Sequence, residues 1–232
     1  ICLISTNPYI DGYVRTYSFG RNYLGKSYLM LGIEGLKVFK GIPANQVSEL
    51  DPNSIDPYFH IGEFEILREN LNSFIINFYG GEAIFPQYSY ELVIDDPDYT
   101  TVMEAEAFEM NNFDDPELKT GLLYEEVFKD KIVIVGSTMP VLQDFHPTPF
   151  TTANFPRPGF EIHAHAIQTI LDNSYITRQK EVYIIIFMLF IALIIAFVNR
   201  YLGAVWGFTV TVIIMLVYYV IALQSFLIAK LF

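Results

Sequence analysis

The sequence predicts an α/β domain, a central mixed sheet flanked by helices, followed by a transmembrane helical hairpin. Three features point there. Charge falls away at Glu181; before it, short β-type runs alternate with stretches of helical periodicity; after it come two long apolar runs joined only by Asn199, Arg200 and Tyr201. The predicted divisions are residues 1–177 for the domain and 182–198 and 202–228 for two membrane helices.

The part up to Lys180 holds 12 of the 14 Lys and Arg and 25 of the 26 Asp and Glu, a net −13. A phosphate backbone needs a basic face, so nucleic acid is not an expected partner. Neither is a polybasic lipid-binding surface present. Cys2 is the single cysteine, so no intrachain disulfide can form, and a buried thiol is its expected state. Residues 1–6 are a short apolar run without a basic flank or cleavage site. They do not read as a signal peptide, and the chain is expected to be an internal piece of a longer one.

In the domain, Asn7-Pro8-Tyr9-Ile10-Asp11-Gly12 is a turn signal that feeds a strand over 13–19, rich in aromatic and β-branched residues. Leu29, Ile33, Leu36 and Phe39 recur at helical spacing and predict an amphipathic helix within 26–40, ended by Gly41 and Pro43. Residues 42–68 mix Pro, Asp and Asn with scattered apolar residues and read mostly as loop. A strand is predicted over 73–79, ending at Gly80-Gly81. The continuous apolar run 131–135, stopped by Gly136, predicts a central strand buried on both faces.

Between these strands, residues 95–126 hold eleven acidic residues and one basic residue, Lys119. They read as a solvated, partly mobile insertion, since no Asp/Asn/Gly spacing supports a calcium loop. From Pro158-Gly159 a helix is predicted over 160–171, with Ile162, Ala166, Ile167, Ile170 and Leu171 on one face. Only 174–180 separate its end from the membrane, so little slack absorbs motion between them.

Every residue over 182–198 is apolar or aromatic, and the run reaches about 26 Å as a helix, close to the hydrocarbon thickness. The run 202–228 also spans, and the short connection makes the pair an antiparallel hairpin. Tyr183, Tyr201, Trp206, Tyr218 and Tyr219 include candidate interfacial anchors, and Gly203 and Gly207 form a small-xxx-small pair. Arg178 and Lys180 at one end nearly balance Arg200 at the other, so charge leaves orientation undecided. With the acidic domain outside, the first span runs inward and the second back out, and a cytoplasmic output domain requires a third span beyond Phe232.

Asp11-Gly12-x-x-Arg15, Ile76-Asn77-Phe78-Tyr79-Gly80, the run from Lys131 to Gly136, Asp144, Thr148-Pro149, and Pro158-Gly159-Phe160-Glu161-Ile162-His163-Ala164 occur in an order that resembles a known family. The chain is similar to the type-two CHASE domain over nearly all of residues 7–173. The resemblance implies an extracellular sensor of bacterial adenylate/guanylate cyclases, histidine kinases and serine/threonine kinases. It further implies one preceding span, typically three following ones, and a cytoplasmic effector that works as a pair, hence a homodimer. The acidic stretch 95–126 departs from the shorter connection usual there.

The crevice at strand C-terminal ends is where open α/β sheets bind small ligands, which makes the loop 137–149 the expected pocket wall. Candidate ligand-binding residues are Ser137, Thr138, Asp144, His146, Arg15 and His163. Gly136-Ser137-Thr138 belongs to neither nucleotide-binding glycine pattern and reads as a structural strand-to-loop turn. Residues two apart on a helix point about 200° apart, so His163 and His165 are not expected to grip one metal with Asp144, His146 and Glu161. His163 is expected on the apolar face, bonded to the preceding loop, and His165 pointing away. Asp11 and Arg15 read as a structural ion pair or a ligand contact.

No hydrolytic or redox motif is present, and no cofactor or metal is expected. The sequence reads as the extracytoplasmic input module of a receptor in the bacterial cytoplasmic (inner) membrane, crossing it more than once. It answers to a small molecule or envelope condition, embedded in the lipid bilayer and not itself an enzyme. A membrane-anchored extracytoplasmic enzyme and a partner-binding scaffold are the alternatives.

Overall fold

The computed structural model describes residues 11–51, 53–80, 84–99, 101, 111–142, 144–151, 157–177 and 181–229, so Cys2 lies outside the described residues. β1 (Thr16–Ser18) and β6 (Ser73–Ile75) pair antiparallel at the centre of the domain, placing Tyr17 beside Phe74. β2 (Gly20–Tyr23) and β3 (Lys26–Leu29) form one hairpin, β4 (Tyr58–Ile61) and β5 (Phe64–Leu67) another. α1 (Leu31–Phe39) packs on α3 (Gly159–Leu171). The short helix α2 (Tyr90–Ile94) opens the acidic stretch, and β7 (Phe145–His146) pairs with β8 (Arg157–Pro158) just before α3.

The core lies between the β1–β6 ladder, the β4–β5 hairpin and the two helices. Phe19 and Phe59 stack at 4.2 Å, and Phe74, Ile33, Leu36, Ile66, Ile162 and Ile170 are fully buried around them. Close approach of α1 is secured by Gly32, where a Cβ would meet Tyr17 Oη and the Ile167 side chain. The α/β class and the apolar hairpin match expectation. In place of a central mixed sheet, the β-structure among the described residues forms four two-stranded antiparallel ladders.

Three sequence-based expectations need correction. The helix expected within 26–40 begins only at Leu31, because Leu29 is taken by the β2–β3 ladder. The loop expected over 42–68 contains the β4–β5 hairpin, whose four-residue strands are hidden among Pro57, Asp51 and Asp56. Residues 131–135 form no strand among the described residues. Ile132 lies against Leu31, Gly35, Val38 and Phe39 of α1, while Val133 and Val135 are exposed. A short apolar run looks alike whether one face or both are covered.

The β2–β3 turn carries Leu24 at φ 48° and Gly25 at φ 73°. Two positive values are the signature of the hairpin turn whose twist matches its strands, and they favour Asn-Gly. Leu24, 84% exposed, gains nothing there to offset its backbone cost. Leu24→Asn is therefore expected to stabilise the chain by about 0.5–1 kcal/mol, read as a raised urea midpoint.

α4 (Glu181–Ala229) is interrupted at Gly203, whose φ 73° and ψ 172° are not helical. Its two arms, Val182–Tyr201 and Val205–Gln224, are 20 residues each, about 30 Å long, and almost wholly unburied within the molecule. They fold back on one another. The Phe187 and Tyr218 rings lie 5.9 Å apart, which a continuous helix cannot allow. Gly207 sits so close to the Asn199 carboxamide that a side chain there would collide with it. Apolar arms left uncovered by protein are suited to lipid.

Candidate functional site at the two ends of α3

α3 carries chemistry at both ends. At its start, the β7–β8 ladder sets Phe145 opposite Pro158 and His146 opposite Arg157, and the Gly159 N–H donates to the Asp144 carbonyl at 3.0 Å. The Asp144 carboxylate lies directly over Gly159, in the space a Cβ would fill. A negative charge there is favoured by the unpaired N–H groups of the first helical turn. His146 Nε2 is 3.2 Å from Asp144 Oδ1. Arg157, nearly buried, reaches Glu161 at 3.3 Å, and Gln87 Nε2 donates to the other Glu161 oxygen at 3.1 Å.

Gly136 lies against the Phe160 ring, which brings Ser137 beside this first turn. Ser137 Oγ accepts the Met139 N–H at 3.1 Å, and Thr138 is exposed. The Val14 N–H donates to the Pro147 carbonyl at 2.8 Å, tying the strand that carries Arg15 to the same loop. Arg15 itself forms a two-pronged pair with Asp11, at 2.7 and 2.8 Å. That pair holds the Asp11 carboxyl below the usual carboxylate range, with the Tyr13 N–H as a second donor. Asp144 and His146 thus sit together at the start of α3, with Ser137 next to the Gly136 that packs on Phe160 and Arg15 joined through the backbone.

His163 is buried, and its partner is Tyr17 of β1 at 2.6 Å, not the preceding loop. Tyr17 Oη also accepts the Gly32 N–H at 2.9 Å, so one hydroxyl ties His163 of α3 to the start of α1. Burial pushes the His163 pKa down, against the opposing pull of Asp144 and with a smaller push from His146.

His165 does not point away from the core. It is 3% exposed, ringed by Phe78 at 5.1 Å, Phe85 at 4.9 Å and the parallel Tyr79 ring at 6.2 Å. Burial, helped by the Arg157 charge, pulls its pKa down to about 4. α3 is covered on a second side by Phe78, Tyr79 and Phe85, which no helical wheel of α3 alone reveals.

In the acidic stretch, Asp95 is 1% exposed and its Oδ2 accepts the Asn112 N–H and side-chain amide at 2.9 and 2.6 Å. The stretch is thus fastened at Asp95, where the sequence suggested only solvated chain. No three His, Cys, Asp or Glu side chains gather to hold a metal ion among the described residues.

The C-terminal end of α3 carries residues not singled out as site candidates from sequence. Asn173 takes φ 48°, and the Ser174 and Asn173 N–H groups donate back to Thr169 and Ile170. That pair of bonds closes the helix. Alongside, Thr169 Oγ1 accepts the Asn77 N–H at 3.1 Å. Tyr79 Oη sits 2.7 Å from Asp172 Oδ2 and 2.6 Å from Ser174 Oγ, and Asn77 Nδ2 donates to Ser174 Oγ at 3.1 Å. In the sequence, Asn77 and Tyr79 stand inside Ile76-Asn77-Phe78-Tyr79-Gly80, one of the runs that carry the family resemblance, while Asp172 and Ser174 belong to none of those runs.

The domain therefore pairs a polar cluster at the start of one buried helix with a hydrogen-bonded lock at its end, and residues 172–180 lead from that lock to the apolar hairpin. No curated protein and no solved structure matches the chain significantly. A family model described as the CHASE2 domain matches residues 3–203, from the start of the domain through the first membrane arm. The chain belongs to the CHASE2 family of extracellular sensory domains found in signalling receptors.

Proposed function

We propose that this chain is the extracytoplasmic input module of a receptor in the bacterial inner membrane. A small molecule or envelope condition acts at the start of α3, and the change passes through the hairpin to a cytoplasmic effector, a class III adenylate/guanylate cyclase or a kinase. The observation that carries this reading is that one helix spans the polar cluster and the lock, and leads by residues 172–180 to α4. Ser137, Thr138, Asp144, His146 and Arg15 are the ligand-facing residues, with His163 behind them holding α3 to β1 and α1. Signalling then requires only a different affinity for two positions of α3.

Placement across the membrane is the direct test. In a Cys2→Ser background, a membrane-impermeant maleimide is expected to label Ile55→Cys, fully exposed in the domain, in intact spheroplasts. Arg200→Cys, at the hairpin bend, is expected to react only after permeabilisation. The reverse pattern would place the domain inside and overturn the reading.

A further inference from the structure

We propose that Asn77, Ser174, Tyr79 and Asp172 form a one-way hydrogen-bond relay that serves as the mechanical joint between the sensor core and the membrane hairpin. The proposal rests on the receptor reading above and names the place where its coupling is made. A carboxylate only accepts, so the Tyr79 hydroxyl donates to Asp172 at 2.7 Å. With its proton committed, Tyr79 accepts from the Ser174 hydroxyl at 2.6 Å, and Ser174 accepts from Asn77 Nδ2 at 3.1 Å. The Gln168 carbonyl, at 3.3 Å from Tyr79 Oη, is the longer alternative acceptor. The direction of every link is thus fixed by the charge at one end.

That charge stands where a helix least favours it. Asp172 caps the C-terminus of α3, the negative end of the helix dipole. Gln168 Nε2 donates to its other oxygen at 2.8 Å from within the helix, so Tyr79 supplies the donor from outside α3. Removing the Tyr79 hydroxyl leaves the carboxylate with an unfavourable helix end and releases Ser174 as well. Burial, reinforced by Asp172, pushes the Tyr79 pKa up to about 12, which keeps the donor protonated. Asn77 and Tyr79 directly follow β6 of the core ladder, while Asp172 and Ser174 begin the passage to α4. The relay therefore bridges the two bodies that must exchange motion.

The test reads hydrogen exchange of the whole chain in nanodiscs of short-chain and long-chain lipids, since a change of bilayer thickness tilts a spanning helix. In the wild type, the thickness change is expected to alter exchange at 172–177 and also at 76–80. In Tyr79→Phe, and independently in Ser174→Ala, basal exchange at 173–177 is expected to rise about tenfold. The response to thickness in both should stop before 76–80, with α1 protected as in the wild type. If both variants transmit the response to 76–80 as the wild type does, the relay is not the joint, although the receptor reading stands. If the wild type responds at neither segment, the receptor coupling and the joint fall together.

Discussion

Tyr17→Ala is expected to leave the sensor domain largely unfolded at room temperature, followed as loss of near-ultraviolet circular dichroism in detergent micelles. Tyr17 is 1% exposed and packs against the Phe74 and His163 rings. Truncating a buried aromatic costs about 3–5 kcal/mol in lost contacts and cavity. The same change strips His163 Nδ1 of its hydrogen-bond partner and the Gly32 N–H of its acceptor. Each buried group left unpaired adds about 1–3 kcal/mol, against a typical domain stability of about 5–15 kcal/mol. Tyr17→Phe keeps the ring and removes only the hydroxyl, so its cost should be about 1–3 kcal/mol. A Tyr17→Phe chain with the wild-type urea midpoint would show that His163 is not held through this bond.

Acidification from pH 7 to pH 4 should lower the unfolding temperature steeply, chiefly through His165. Its folded pKa of about 4 lies below the ordinary 6.5, so the unfolded chain takes up the proton first as the pH falls. The stabilising contribution is complete above about pH 6.5 and drains away as the pH drops toward 4, at up to about 1.4 kcal/mol per pH unit. His163 shifts in the same direction, tempered by Asp144. The groups facing His165 are Phe78, Phe85, the Tyr79 ring and N–H, and the Arg157 charge, none of which brings a negative charge to a protonated imidazole. His165→Phe keeps a ring in that aromatic nest and removes the titration, so the difference between pH 7 and pH 4 should shrink. An equal drop in variant and wild type would rule His165 out as its source.

What the sequence made legible was what local periodicity can carry. α3 was readable because Ile162, Ala166 and Ile170 repeat at helical spacing behind a Pro-Gly start, and the hairpin because its apolar runs match a bilayer. The β4–β5 hairpin was not, since Tyr58–Ile61 and Phe64–Leu67 are too short to stand out beside a Pro- and Asp-rich loop. Residues 131–135 misled because their composition suits a central strand, while only Ile132 packs on the core and Val133 and Val135 are exposed. At the site, Ser137, Asp144 and His146 were candidates as the wall of a crevice at the end of the strand expected over 131–135, and that strand is not formed among the described residues. The partners of His163 and the Asn77–Ser174 and Tyr79–Asp172 contacts pair residues far apart in sequence, and such pairings leave no periodic trace.

The two ribbons Gly20–Leu29 and Tyr58–Leu67 each satisfy their own ladder around a tight tip, at Leu24-Gly25 and at Gly62-Glu63. Neither shares backbone bonding with the other within a sheet. Lengthening the open Leu24-Gly25 tip costs only loop entropy, about 0.6 kcal/mol for each doubling, whereas the other tip is tied down by the Gly62 N–H bond to the Gln46 carbonyl at 2.9 Å. An insertion at Leu24-Gly25 can therefore give the domain a new outer surface while the packing around Phe59 and Phe74 is left as it is.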